Sequence, residues 1–437
     1  MDTGNTAYVL GSAALVMLMT PGLAFFYGGM VRSKSVLNMM MMSVVSLGVV
    51  GLIWVLVGFS LAFGDSHGGL IGGFEYAGLR DTTTTVGSGV PLQAFAMFQL
   101  MFAVITGALL SGAIADRARF WPWTLFVGLW TLLVYVPLAH WIFAANGLVG
   151  RNGGWMANAL GALDFAGGTA VEINSGASAL ALALVLGRRR GWPREPMRPH
   201  NLPAVLLGAG LLWFGWFGFN AGSALVAGAV ASNAFVTSMT ASAAAVLAWL
   251  ALEHRLDGRP TSLGAASAAV AGLVGITPAC GFVDTFGALV IGLAAGVCCQ
   301  LAIRLKYKLG YDDSLDVVAI HGVGGVIGML LIGLFGTKAV NGGGADGLFY
   351  GGGFAQLGKQ VVAVLATAAF AFAMSALLAW LVRVTVGFRV TADVEAEGID
   401  EAEHSETAYD YAPLLSSTRS VRPTPRPEPT VDEEIAP

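Results

Sequence analysis

Leu163–Gly176, LDFAGGTAVEINSG, and a second stretch at Leu309–Gly324, LGYDDSLDVVAIHGVG, decide how this sequence is read. Each sets an aspartate at the mouth of an apolar helix and a second titratable group eight residues further in, Asp164 with Glu172 and Asp313 with His321. At about 1.5 Å per residue, eight positions carry the chain roughly 12 Å, from a membrane surface to near mid-bilayer. An ionisable group at that depth costs about 2.5–3.5 kcal/mol on insertion scales and marks a substrate path by default. The pattern reads as a conduit for a small cation or its neutral conjugate.

The rest of the chain agrees with a membrane setting. Hydrophobic residues make up 56% and charged residues 11%, and the mean hydropathy is +0.71. A soluble domain is about a quarter charged, so this is a polytopic membrane protein. Sixty glycines suit close helix packing within a bilayer. The N-terminus, MDTGNTAYVLGSAALVMLMTPG, lacks a basic n-region and reads as a retained first span rather than a cleaved signal peptide. Cys280, Cys298 and Cys299 lie in apolar runs, with neither metal-ligand spacing nor a disulfide framework. The GVGGVIG that follows His321 lacks the strand a phosphate-binding loop requires. No nucleophile–base arrangement appears, so neither an enzyme, a cofactor, a metal site nor a nucleic-acid partner is expected.

Apolar segments long enough to span fall at 7–31, 38–63, 92–114, 121–143, 164–187, 201–221, 227–252, 262–279, 284–303, 315–336 and 356–386. Fourteen of the 23 Lys and Arg residues follow odd-numbered segments, Arg188–Arg190 among them, and only four follow even-numbered ones. The positive-inside rule then predicts the N-terminus outside and the C-terminus inside. Eleven helices divide as five, five and one, and two five-helix halves must have opposite topology. That is the inverted-repeat plan, whose sites lie at the repeat interface near the midplane. Helices 5 and 10 close the two halves and share the Asp-x7-ionisable spacing. The Gly- and Thr-rich outer loops read as solvated turns. The expected domains are a transport domain at 1–388, a cytoplasmic regulatory region at 389–412 and a Pro-rich disordered tail at 413–437.

Candidate residues cluster on few segments. Asp164 opens a helix, which fits an N-cap as well as a carboxylate shaping the potential at an outer mouth. Glu172 and His321 are predicted to line the pore; if they meet, their titration is coupled. Segment 3 supplies Gln99 and Phe102, and segment 6 supplies Trp216, Phe219, Asn220 and Ser223. Each aromatic alone fits core packing or an interfacial belt. One Phe from each half could instead stack into a gate, with a serine hydroxyl nearby to accept from a cation.

Taken together, DFAGGTAVEINSG, GWFGFNAGSA, GITPACGFVDTFGA, DVVAIHGVGG and GFRVTADVEAEGIDEAEHSETAY resemble blocks of the ammonium transporter family (the Amt/Mep/Rh superfamily), in that family's order. The resemblance covers about residues 5–412. It implies a homotrimer of eleven-helix protomers in the cell membrane, each with its own pore for ammonium or ammonia. Phe102 and Phe219 fall on the family's gate, Trp216 and Ser223 on its outer recruitment site, and Asp164 on its outer aspartate. His321 falls on the second pore histidine, and Gln99 near the mouth. Glu172 stands where most bacterial members carry the first pore histidine, and Phe143 where members often carry a cation-contacting tryptophan. Phe should weaken that contact modestly, since cation–π attraction is best with Trp.

The mechanism so implied gathers ammonium outside, deprotonates it near the gate and passes ammonia inward, with the proton carried through Glu172 and His321. The region Val390–Tyr411 resembles the family's inward C-terminal segment, and a PII-type signal protein is the implied partner at the inner face. Three readings stay open: electrogenic uptake, a passive ammonia channel, and an ammonium sensor signalling through a partner.

Overall fold

The computed structural model describes residues 1–409. Among these residues the regular structure is helical and no strand forms. The Pro-rich tail expected from 413 lies outside the described residues, as does the end of the region expected at 389–412.

The helices are α1 (Thr3–Met30), α2 (Val36–Phe63), α3 (Leu92–Ile114), α4 (Phe120–Phe143), α5 (Gly168–Leu186), α6 (Leu202–Gly222), α7 (Ala229–Asp257), α8 (Ser262–Ile276), α9 (Thr285–Leu309), α10 (Val318–Phe335) and α11 (Ala355–Thr385). Ten are long and apolar enough to cross a membrane. The eighth, expected over 262–279, stops after 15 residues. Pro278 follows, with no N–H to continue a ladder, and the chain leaves the helix in turns through Phe282. Starts are set by short polar caps: the side chains of Asp2, Asn201, Thr261 and Asp284 accept the N–H three residues on.

Burial sorts the helices into layers. In α3 about 89% of the apolar window is buried, and in α5 about 78%, against 33% in α2 and α11. The first two therefore form the centre. The others turn Leu52, Leu56, Leu365 and Trp380 outward, as a lipid-facing surface does.

Two helix crossings link segments far apart in the sequence. Along α1 and α6, Gly29 meets Val205 while Leu15 meets Gly218, so these helices run antiparallel. Along α5 and α10, Gly168 meets Met329, Glu172 meets Gly325 and Gly176 meets Gly322, again antiparallel. A Cβ on Gly176 would fall 2.2 Å from the Gly322 Cα, so only glycine allows this crossing.

At one end the loops are knotted by charge. Buried Arg189 pairs with Asp312 at 2.9 Å and with Asp116 at 3.3 Å. Buried Arg117 donates to the Asp312 carbonyl at 2.6 Å and to Ser314 Oγ at 2.5 Å. Burial would raise the Asp312 pKa, but the hydrogen bond and charge of Arg189 outweigh it and hold it below the ordinary value. Two short helices, α12 (Ala392–Glu397) and α13 (Ile399–His404), strap across this end. Asp400 caps α2, accepting from Leu37 N at 3.0 Å and Asn38 N at 2.8 Å. Arg389 donates to Glu395 at 2.6 Å.

Candidate functional site

Both α5 and α10 begin with a six-residue π-helical turn, Gly168–Ile173 and Val318–Val323. Such turns are rare and are frequent at functional sites. An aspartate stands before each. Asp164 accepts from Gly167 N, Gly168 N, Thr169 N and Thr169 Oγ1 at 2.5–2.8 Å, and Asp313 Oδ2 accepts from Val318 N at 2.7 Å. The shared spacing is therefore a shared local device: a carboxylate cap, a widened turn, and one ionisable side chain turned inward. Asp164 has both oxygens committed to its cap, so any effect on a cation acts through its charge.

The two turns deliver Glu172 and His321 to one point. His321 Nδ1 lies 2.6 Å from Glu172 Oε2, and both side chains are buried. Either Nδ1–H donates to the carboxylate, or a carboxyl O–H donates to Nδ1; in both arrangements a proton lies between them. Glu172 Oε1 has no protein partner. Removing one member of such a pair strands the other, at about 3–5 kcal/mol.

The pair faces a narrow cavity whose other walls include Leu23, Phe26, Ile105, Leu109, Leu212 and Val270. Trp216 and Phe219 also line it. The predicted aromatic pair is present: Phe102 and Phe219 stack with centroids 4.0 Å apart and planes 18° apart, both buried. Phe143 meets Phe102 edge-on at 6.3 Å. Trp216 sits 5.7 Å from Phe219. Ser223 Oγ donates to the Phe219 carbonyl at 2.8 Å, which leaves its lone pairs to accept. Gln99, one turn before Phe102, is buried with its Oε1 unpartnered.

One contributor was not anticipated. Thr277 Oγ1 accepts from Trp216 Nε1 at 2.8 Å and contacts Asn220 Oδ1 at 3.2 Å. Asn220 in turn donates to Ser238 at 2.8 Å. Thr277 thus fixes the indole that flanks the stack. Its signal in the sequence was Thr-Pro at the end of an apolar run; the hydroxyl donates back to the Leu273 carbonyl at 2.8 Å, which leaves its lone pairs to accept.

A charged species in this cavity would lose its water for an apolar wall, a cost of several kcal/mol, whereas a neutral amine loses only hydrogen bonds.

Comparison with known proteins follows the same line. The family model described as the Ammonium Transporter Family matches residues 7–409. The chain belongs to the ammonium transporter family. It is similar to an ammonium transporter of Mycobacterium tuberculosis, 54% identical over 97% of this chain and 94% of the relative. It is also similar to one from Bacillus subtilis, 46% identical over 94% of this chain and 99% of that protein. Among solved structures, Mep2 of Saccharomyces cerevisiae superposes with a TM-score of 0.83 at 36% identity, covering 90% of this chain and 88% of that one. A sensor Amt protein superposes at 0.84 and 30% identity, over 92% and 98%. The ammonium transporter family and ten apolar helices together make this a multi-pass protein of the cell membrane. The relatives carry the names of transport proteins rather than enzymes.

Proposed function

We propose that this chain carries ammonium across the membrane by recruiting the cation outside, deprotonating it at the Phe102–Phe219 stack and passing ammonia through the cavity beyond. The observation that carries this reading is the Glu172–His321 pair at 2.6 Å, buried in an apolar cavity beneath stacked aromatics. Trp216, Phe143 and Ser223 supply ring faces and a hydroxyl for the incoming cation, with the Asp164 charge behind them. Glu172 and His321 relay the released proton, so net uptake moves charge. Here a carboxylate does the work of an imidazole.

The same proposal places eleven spans in each protomer, with the N-terminus outside, the C-terminus inside and three protomers in the assembly. The Lys and Arg distribution and the antiparallel α5–α10 crossing support the orientation. The strap of α12 and α13 offers an inner regulatory surface for a PII-type partner. A second reading, an ammonium sensor, is favoured by the likeness to a sensor Amt protein.

Charge movement in proteoliposomes after an ammonium concentration jump tests the proposal, with Glu172→His beside the unaltered chain. A saturating, ammonium-specific current from both supports coupled transport. An internal pH change without current marks a passive channel. Silence in both assays with ammonium binding retained moves the sensor reading forward.

A further inference from the structure

Helix α11 turns Leu365 and Trp380 outward, yet Gln360 on the same helix is wholly buried. A glutamine amide has two N–H donors and an oxygen with two lone pairs, and here all four are used. Oε1 accepts from Leu163 N at 2.8 Å and from Gln356 Nε2 at 3.0 Å. Nε2 donates to the Leu163 carbonyl at 2.7 Å and to the Met329 carbonyl at 3.2 Å. These partners fix which way round the amide lies, since only its oxygen can take the Leu163 N–H and only its nitrogen can serve two carbonyls.

Leu163 stands in the non-helical approach to α5, immediately before Asp164, so its N–H and C=O have no helix ladder to satisfy them. Met329 belongs to α10, eight residues past His321, where it packs on Gly168. One amide on a third helix therefore bridges the main chains of the two helices that carry the buried pair. Because α5 and α10 run antiparallel, the order along both is the same: the Gln360 bridge, then Glu172 against His321, then Gly176 against Gly322. The glycine crossing resists closer approach, and the amide bridge resists separation. The pair between them sits at 2.6 Å, and at about 3.6 Å it would no longer be a hydrogen bond.

We infer that Gln360 is a positioning residue for the Glu172–His321 pair, acting through the main chain to hold α5 and α10 at the spacing where one proton is shared. The inference rests on the relay reading of that pair only for its consequence in transport. The titratable groups that bear on Glu172 are His321, Asp164 and Tyr27, whose hydroxyl donates to the Leu109 carbonyl at 3.1 Å. Gln360 carries no charge, so replacing it with another uncharged side chain reaches these groups only by moving the helices.

The test is an infrared pH titration of the full chain in proteoliposomes, reading the side-chain carboxyl band that Glu172→Gln removes. Gln360→Met keeps the length of the side chain and removes the amide. It should displace that band and move its midpoint by about one pH unit. Maximal ammonium-driven current should fall roughly tenfold, with outer-face half-saturation within about twofold of wild type. Gln360→Glu, which in its neutral form keeps an acceptor and one donor, should give a smaller displacement and serves where the Met variant does not fold. A lower melting temperature with an unmoved band would overturn the inference and leave Gln360 a structural residue. A raised half-saturation with an unmoved band would overturn it too, placing the effect at the outer mouth. A displaced band in Gln360→Met, in a chain whose wild type carries no ammonium current, supports the positioning role and removes the transport reading. Wild-type current with an unmoved band in both variants does the reverse.

Discussion

A methyl group on Gly176 would overlap the backbone of Gly322, falling 2.2 Å from its Cα and 2.4 Å from its nitrogen. Helices α5 and α10 therefore touch main chain to main chain, four residues past Glu172 and one past His321. This contact brings the two ionisable side chains together. Gly176→Ala should force the helices apart, with a cost of about 1–3 kcal/mol typical of overpacking. Thermal unfolding and ammonium-driven current would both fall; an unchanged melting temperature with full current would show that the crossing has slack.

Glu172→Ala leaves His321 facing an apolar cavity without its partner. Coupled current should vanish, and the chain should lose roughly 3–5 kcal/mol of stability if the histidine stays charged, less if it goes neutral. Wild-type current from this variant would end the relay role of Glu172.

Thr277→Val removes the acceptor of the Trp216 indole while keeping shape. With Trp216 Nε1 unpaired at a cost of about 1–3 kcal/mol, the indole should wander from Phe219. The half-saturating ammonium concentration at the outer face should rise roughly tenfold, and Thr277→Ser should restore it. Equal saturation curves for Val and Ser variants would assign Thr277 to packing alone.

The Arg189–Asp312 pair predicts an acid limb of stability. The folded Asp312 pKa lies below its ordinary value of about 3.9, so its contribution is full above roughly pH 5 and is lost as pH falls through the depressed value. Arg189→Met should be least stable relative to wild type near neutrality, where Asp312 is left charged and buried. Melting temperatures measured from pH 7 to pH 3 should converge at the acid end. A constant gap would mean that Asp312 is not the group responsible.

Hydropathy made the spans legible because a bilayer admits few alternatives: all eleven expected segments became helices, and ten of them are long and apolar enough to cross a membrane. The eighth misled because its apolar run continues through Thr277–Cys280, where Pro278 breaks the ladder but composition does not change. Glu172 and His321 stood out by cost: charge deep in an apolar run is rare enough to signal by itself. Asp164 was ambiguous between cap and mouth because both readings want a carboxylate at a helix start; its four hydrogen bonds show that the cap is made. Thr277 gave only the weak signal of its Thr-Pro step, since a lone hydroxyl in an apolar stretch gains meaning only from what folds against it. The outer loops, expected as plain solvated turns, are better tied than their composition implied: Trp141 Nε1 donates to the Leu70 carbonyl at 2.9 Å, and Ser60 Oγ to Gly73 O at 2.9 Å.

The crossing of Gly176 over Gly322 also bears on turnover. A carrier that rocks one bundle against another must break and remake its central contact in every cycle. Here that contact is backbone against backbone, with no side chain to slide or repack. What remains free to move is the pair of rings above it, and ring rotations run far faster than helix displacements. On the proposed function, passage would then be paced by side chains in a rigid frame, with dehydration and proton transfer setting its speed rather than a swinging scaffold.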